Sequence, residues 1–206
     1  MLWPTVIAVI WGIGLSVSGI SPYDRTTWAM EVAPCVIVLL PLLGTARRAP
    51  LTPLLYALIL LHGLVLIVGG AYSYARVPAG FLVQDFFDLS RNPYDKLGHF
   101  MQGMVPAIAA RELLLRWGGL RRGGWLVAVV ILSCLGISAI YEIVEWAAAL
   151  ALGQGATEFL GTQGYEWDTQ SDMFLCGIGA IAALVLLGRW HDRLLARLPS
   201  HARSPV

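Results

Sequence analysis

Glu142 and Glu145 stand three residues apart in the stretch YEIVEW, within a run of otherwise apolar residues. On a helix that spacing sets them roughly 60° apart, on one face. A charged side chain near a bilayer centre costs about 2.5–3.5 kcal/mol on insertion scales, and less toward the interface. Each glutamate must therefore be protonated, paired or bound to a cation. Two other stretches supply groups of the same kind. YDKLGHFMQG carries Asp95, His99 and Gln102 at i, i+4, i+7, which places them on one helical face. WDTQSD carries Asp168 and Asp172, four apart, where a polar loop runs into an apolar segment. The cations on the same side, Arg25, Arg76, Arg91 and Lys96, are fewer than the acids gathered there.

An excess of acid beside one imidazole suits a divalent metal. Oxygen ligands favour Mg²⁺, Ca²⁺ or Mn²⁺, whereas His99 with two carboxylates would suit Zn²⁺ or Fe²⁺. The expected roles are metal binding for Asp95, His99, Asp168 and Asp172, catalysis for Glu142 and Glu145, and substrate binding for Arg25, Arg91, Lys96 and Gln102. A structural reading of the same residues stands beside this one. Asp95 and Asp168 would cap their helices, since acceptors are favoured at helix N-termini. Glu142 and Glu145 would pair with Arg25 or Arg76, or sit protonated against Gln102 and Tyr141. A third use is a proton or ion path. His62, in mid-span, is expected to be a hydrogen-bonded interior residue.

The elements that must position these groups are membrane helices. The chain has 206 residues, 57% of them hydrophobic and only 13% charged, with a mean hydropathy of +0.69. So little charge cannot cover a soluble domain of this size. Apolar segments at about 3–20, 30–46, 53–70, 98–117, 125–150 and 171–188 are each about long enough to span a bilayer. The expected fold is an all-α polytopic bundle of about six transmembrane helices in one domain, residues 1–190, followed by a short, basic, frayed tail, 191–206. The fifth segment is longer than a span needs, so it should tilt or protrude. The first ends in the small residues SVSG but lacks the basic start of a signal peptide, and is expected to be a retained helix.

Arginines sort the two ends of the bundle. Arg47 and Arg48, then Arg111, Arg116, Arg121 and Arg122, then Arg189, Arg193, Arg197 and Arg203 all fall at one end, which the positive-inside rule assigns to the cytoplasm together with both termini. The opposite loops, 21–29, 71–97 and 151–170, hold most of the acids, including Asp24, Asp85, Asp88, Glu158 and Glu166. Short basic flanks without interleaved aromatics exclude nucleic acid as a partner. In the loop 71–97, Phe81, Leu82, Phe86, Phe87 and Leu89 alternate with polar residues, as expected of a short interfacial helix started by Pro78 and stopped at Asn92-Pro93. Cys35, Cys134 and Cys176 fall inside spans and are expected to be buried thiols rather than a disulfide or metal set. Small residues recur at Gly12/Ser16, Gly14/Ser18, Gly69/Gly70 and Gly177/Gly179, the spacing of close helix packing.

The stretches SPYDRTTWAMEVAP, GGAYSYARVPAG, RNPYDKLGHFMQG, YEIVEW and FLGTQGYEWDTQSDM together resemble the YjdF-type bacterial inner-membrane protein family, over roughly residues 20–190. DKLGHF followed by helix glutamates and WDTQSDMFLCGIGA is also similar, more loosely, to VanZ-like proteins, with Asp95, Lys96, His99, Glu142, Asp168 and Asp172 in comparable places. The first resemblance implies a multi-pass protein of the bacterial inner membrane. Neither implies a reaction. From the residues themselves, the expected function is an outward-facing acidic/His site at the headgroup level, holding one divalent metal ion and acting on a membrane lipid or lipid-linked headgroup. A small ion-coupled transporter and a non-catalytic scaffold are the alternatives.

Overall fold

The computed structural model describes residues 2–152 and 163–198. Among them every regular element is a helix: α1 (Leu2–Ile20), α2 (Arg25–Thr45), α3 (Pro53–Tyr72), α4 (Pro78–Phe87), α5 (Tyr94–Arg116), α6 (Gly124–Leu152), α7 (Asp168–Ala182) and α8 (Gly188–Leu195), with a π-helical turn, Ala183–Leu187, joining the last two. Local chemistry sets the boundaries. Asp24 accepts from the Thr27 N–H and caps α2, and Thr52 caps α3 ahead of Pro53. Pro78 opens α4, and Ser73 and Asp88 end α3 and α4 in left-handed conformations.

Among the described residues, five stretches are long and apolar enough to cross a membrane: Leu2–Ile20, Arg25–Thr45, Pro53–Tyr72, Gly124–Ala151 and Asp168–Leu195. The chain is a polytopic helical membrane protein. Its exposed surface is correspondingly apolar, as at Ile13, Leu40, Leu132 and Val185. The expected fourth span appears as α5, which is long enough but too polar to qualify by composition. Asp95, Lys96, His99, Arg111, Glu112 and Arg116 all lie on it, and α3, α6 and α7 pack around it. Polar residues at membrane depth must face protein rather than lipid, so the most polar of the long helices takes the central place.

The tightest seam joins α5 to α7. A Cβ on Gly103 would collide with the Cys176 carbonyl, and one on Gly179 with the Phe100 carbonyl, so the two backbones meet directly. Of the expected small-residue pairs, Gly179 serves this seam and Gly69 receives the Tyr74 ring. Gly12 has nothing against it, and Ser16 bonds back to the Gly12 carbonyl, so that pair does not pack a helix. Trp11 fills the space over Gly63 and donates to the Leu60 carbonyl, fixing α1 on α3. Cys35, Cys134 and Cys176 are buried free thiols.

The arginine-bearing end is closed by a buried polar knot. Glu112, with no exposed surface, accepts from the Thr52 N–H (3.1 Å), the Thr52 hydroxyl (2.7 Å), Arg116 (2.6 Å) and His191 Nε2 (3.0 Å). Arg111 reaches His191 Nδ1 (2.9 Å) and Asp192 (2.8 Å). The expected fraying from residue 190 is therefore corrected. The chain continues as α8 to Leu195, because His191 is fully buried in this knot and Leu195 and Leu198 are buried as well. Arg203 and Glu158 lie outside the described residues.

Candidate functional site

At the opposite end, α5, α6 and α7 bring their polar residues together. α5 begins at Tyr94, so Asp95 occupies its first turn and His99 and Gln102 follow on the same face. The start is fixed by Asn92, whose Oδ1 accepts the Tyr94 N–H and whose amide donates to the Val77 carbonyl just before α4. Gln163 holds the Asn92 backbone at both its N–H and its carbonyl. α7 begins at Asp168, so Asp168 and Asp172 face α5 one turn apart.

Asp95, His99 and Asp172 each offer a ligand atom within 4.8 Å of one another. His99 Nε2 lies 3.3 Å from Asp95 and 3.8 Å from Asp172, while Nδ1 lies 3.1 Å from Gln102 Oε1 and 4.0 Å from Glu142. Carboxylates can only accept when ionised. Nε2 therefore either donates its own proton to the two aspartates or shares a cation with them. Among the described residues, Asp95 Oδ2 and Glu142 Oε1 are buried without a hydrogen-bond donor, Asp95 Oδ2 having only the Lys96 ammonium at 3.7 Å. Buried acceptors of this kind suit a cation or a donor.

The other expected site residues divide. Lys96 sits 2.6 Å from Asp172, 3.0 Å from Asp168 and 3.7 Å from Asp95, and Arg91 lies 2.6 Å from Asp168 while stacking over Tyr165. Asp168 is thus engaged by two cations, and Asp172 keeps one oxygen toward His99. Glu145 follows Glu142 on the same face of α6 and is partly buried. Arg25 stands apart: it is exposed and reaches the Ile20 carbonyl. Arg76 lies over the Tyr23 ring. The structure brings neither arginine to the glutamates. His62, expected to be a hydrogen-bonded interior residue, is half-buried, and its Nε2 has no hydrogen-bond partner among the described residues.

Two participants, Glu31 and Tyr74, were not singled out from the sequence, and Tyr141 was expected only as a neighbour of protonated Glu142 and Glu145. Glu31, 6% exposed on α2, accepts from the Tyr141 hydroxyl at 3.0 Å. Tyr141 in turn meets the His99 ring edge-on, with centroids 6.5 Å apart. Tyr74 is buried in the turn after α3, where burial first and the nearby Glu31 second push its phenol well above the usual range. A glutamate early in an apolar span was itself the available signal for Glu31. Counting Glu31, the acids Asp95, Glu142, Glu145, Asp168 and Asp172 still exceed Arg91, Lys96 and His99. Beside the cluster a groove of about 580 Å³ opens between Arg91, Lys96, Tyr165 and Ser171 on its polar side and Phe174 and Leu175 on its apolar side.

The predicted-membrane-protein model DUF2238 matches residues 3–193. The chain belongs to the DUF2238 family. Among its relatives, the inner membrane protein YjdF of Escherichia coli (strain K12) is 59% identical over 181 residues, covering 87% of this chain and 86% of that protein. No solved structure matches. The DUF2238 match spans the described helices from α1 into α8, so the cluster and the buried knot both lie within the matched residues.

Proposed function

We propose that this DUF2238 protein holds a divalent cation between Asp95, His99 and Asp172, with Glu142 beside them, and uses it on the phosphate-bearing headgroup of a lipid or lipid-linked molecule. The observation that carries the reading is the convergence of three ligand atoms on a site that also contains two buried oxygens, Asp95 Oδ2 and Glu142 Oε1, with no hydrogen-bond donor among the described residues. A cation there would polarise a phosphate oxygen or activate a water. Glu145 and Glu142 are the groups available to exchange protons with it. The adjoining groove, cationic on one wall and apolar on the other, suits a headgroup whose chain remains in the bilayer. Arg91 and Lys96 would exchange part of their pairing with Asp168 for the phosphate.

The arginine distribution supports a cytoplasmic location for the end bearing α8 and for both termini. The name of the 59% identical relative supports the inner membrane as the compartment. The cluster would then face the outer leaflet, with α4 and its exposed Phe86 and Phe87 lying in the interface beside it.

The test is metal content of the detergent-purified full chain by mass spectrometry, for wild type, His99→Ala and Asp172→Ala. Near-stoichiometric metal that falls in both variants is the expected result. Metal-free wild-type protein, even after each candidate ion is added back, would rule the reading out. A second reading, an ion path, draws on the Glu31–Tyr141 contact and on His62 Nε2, which has no hydrogen-bond partner among the described residues. Proton flux in liposomes that disappears in Glu31→Gln and His62→Leu is its expected signature.

A further inference from the structure

The arginine-bearing end carries a second cavity that the metal reading does not use. A groove of about 240 Å³ lies where the last turn of α5 meets the end of α8, walled by Leu115, Leu195 and Leu198 and bordered by Arg116 and Arg122. The two arginines differ. Arg116 is 5% exposed at its side chain, bonds Glu112 and the Pro50 carbonyl, and stacks on Trp117 at 3.9 Å. Arg122 is 60% exposed at its side chain and, among the described residues, is engaged only through Nε, by Asp192 at 2.8 Å. Asp192 is shared with Arg111, so one carboxylate faces two guanidiniums. Apart from Asp192 and Glu112, every charged residue described at this end is an arginine.

The groove also lies at a recognisable depth. Trp125 is 84% exposed and Trp190 51%, and Trp117 joins them at the same end. Exposed indoles concentrate at the boundary between headgroups and acyl chains. An apolar cleft at that level, with an exposed guanidinium edge at its mouth and surplus positive charge around it, matches a molecule with a phosphate at one end and hydrocarbon at the other. Basic pockets between transmembrane helices take anionic headgroups for the same reason.

We propose that this groove binds an anionic membrane phospholipid, its phosphate against Arg122 and an acyl chain along Leu115, Leu195 and Leu198.

The experiment uses the full chain in a neutral detergent, with phosphatidylglycerol, phosphatidylcholine or inorganic phosphate added. Native mass spectrometry reads the retained lipid and a thermal melt reads stabilisation. Arg122→Gln is compared with Arg48→Gln, an exposed arginine at the same end that does not line the groove. Arg122→Gln should melt like wild type without lipid, because Asp192 keeps Arg111. The expected result is selective retention of phosphatidylglycerol, weakened about fivefold in Arg122→Gln and unchanged in Arg48→Gln. Equal retention of phosphatidylcholine, equal weakening in both variants, or the same stabilisation by inorganic phosphate would each overturn the proposal.

Discussion

Glu112 allows a sharp test of what holds the bundle together. Its carboxylate has no exposed surface and no unused direction. Oε1 receives the Thr52 N–H and Arg116, and Oε2 receives the Thr52 hydroxyl and His191. Arg111 can only donate, so His191 Nδ1 must accept from it and Nε2 must carry the proton that goes to Glu112. Every group around the carboxylate is therefore a donor. Glu112→Ala takes the carboxylate from the 5% exposed Arg116, and breaking a buried pair this way costs about 3–5 kcal/mol. Glu112→Gln should cost nearly as much, although it is almost isosteric, because its NH₂ meets an obligate donor whichever way the amide is turned: Arg116 and the Thr52 N–H on one side, the His191 Nε2–H on the other. Glu112→Leu combined with Arg116→Leu removes both charges, so its loss should fall well short of the sum of the singles. Reversible unfolding in mixed detergent, read by helical circular dichroism, measures all of these. A Glu112→Gln variant within about 0.5 kcal/mol of wild type, inside the range of ordinary surface changes, would refute the donor-only account.

Other outcomes follow from single contacts. Gly103→Val should force α5 from α7, because the added Cβ meets the Cys176 carbonyl backbone, and the folded yield from membranes should collapse. His62→Leu should stabilise the protein, by about 1–3 kcal/mol if the unpartnered Nε2 has its full desolvation cost; a loss of stability in the same denaturation assay would mean that the imidazole has a partner. Asp24→Ala should cost roughly 1 kcal/mol through loss of the α2 cap. The Thr27 N–H holds the Asp24 carboxyl below its usual range. Its contribution is therefore present above the unfolded carboxylate range and is lost as pH falls through the depressed folded value, so the gap between wild type and Asp24→Ala should narrow in melts taken below about pH 4.

Much of the site was legible because membrane burial makes polar spacing conspicuous. Asp95, His99 and Gln102 share a face by helical period alone, and their helix begins at Tyr94, ahead of the apolar span expected at 98–117, while the interfacial helix ends at Phe87, short of the stop expected at Asn92-Pro93. Asp168 and Asp172 likewise meet α5 because α7 starts early enough to turn both inward. What the sequence could not supply was the partner of each group. Asp168 and Asp172 look alike in WDTQSD, yet Arg91 and Lys96 both reach Asp168, and only Asp172 also faces His99. Glu31 was passed over because its companion, Tyr141, lies 110 residues away. His191 was assigned to a frayed tail because the residues around it are polar, and polarity alone does not separate a solvated end from a buried knot closed by Glu112, whose partner is 79 residues distant.

The π-helical turn at Ala183–Leu187 settles how a single helix serves both ends. Asp172 and His191 are nineteen residues apart and both face α5, one toward His99 and the other toward Glu112. On an unbroken α-helix nineteen residues advance through five turns plus about 100°, so when one of the two faced α5 the other would point well aside. A π turn takes up one residue of phase. The remaining eighteen residues complete five whole turns, and both side chains return to the same azimuth. The bulge is thus an internal phase adjuster. Deleting one residue within it would restore an unbroken α-helix with both side chains still facing α5. Inserting one residue elsewhere in the span would leave its hydropathy intact while swinging His191 and Asp192 away from their partners, so that the two polar centres could no longer be satisfied by the same helix.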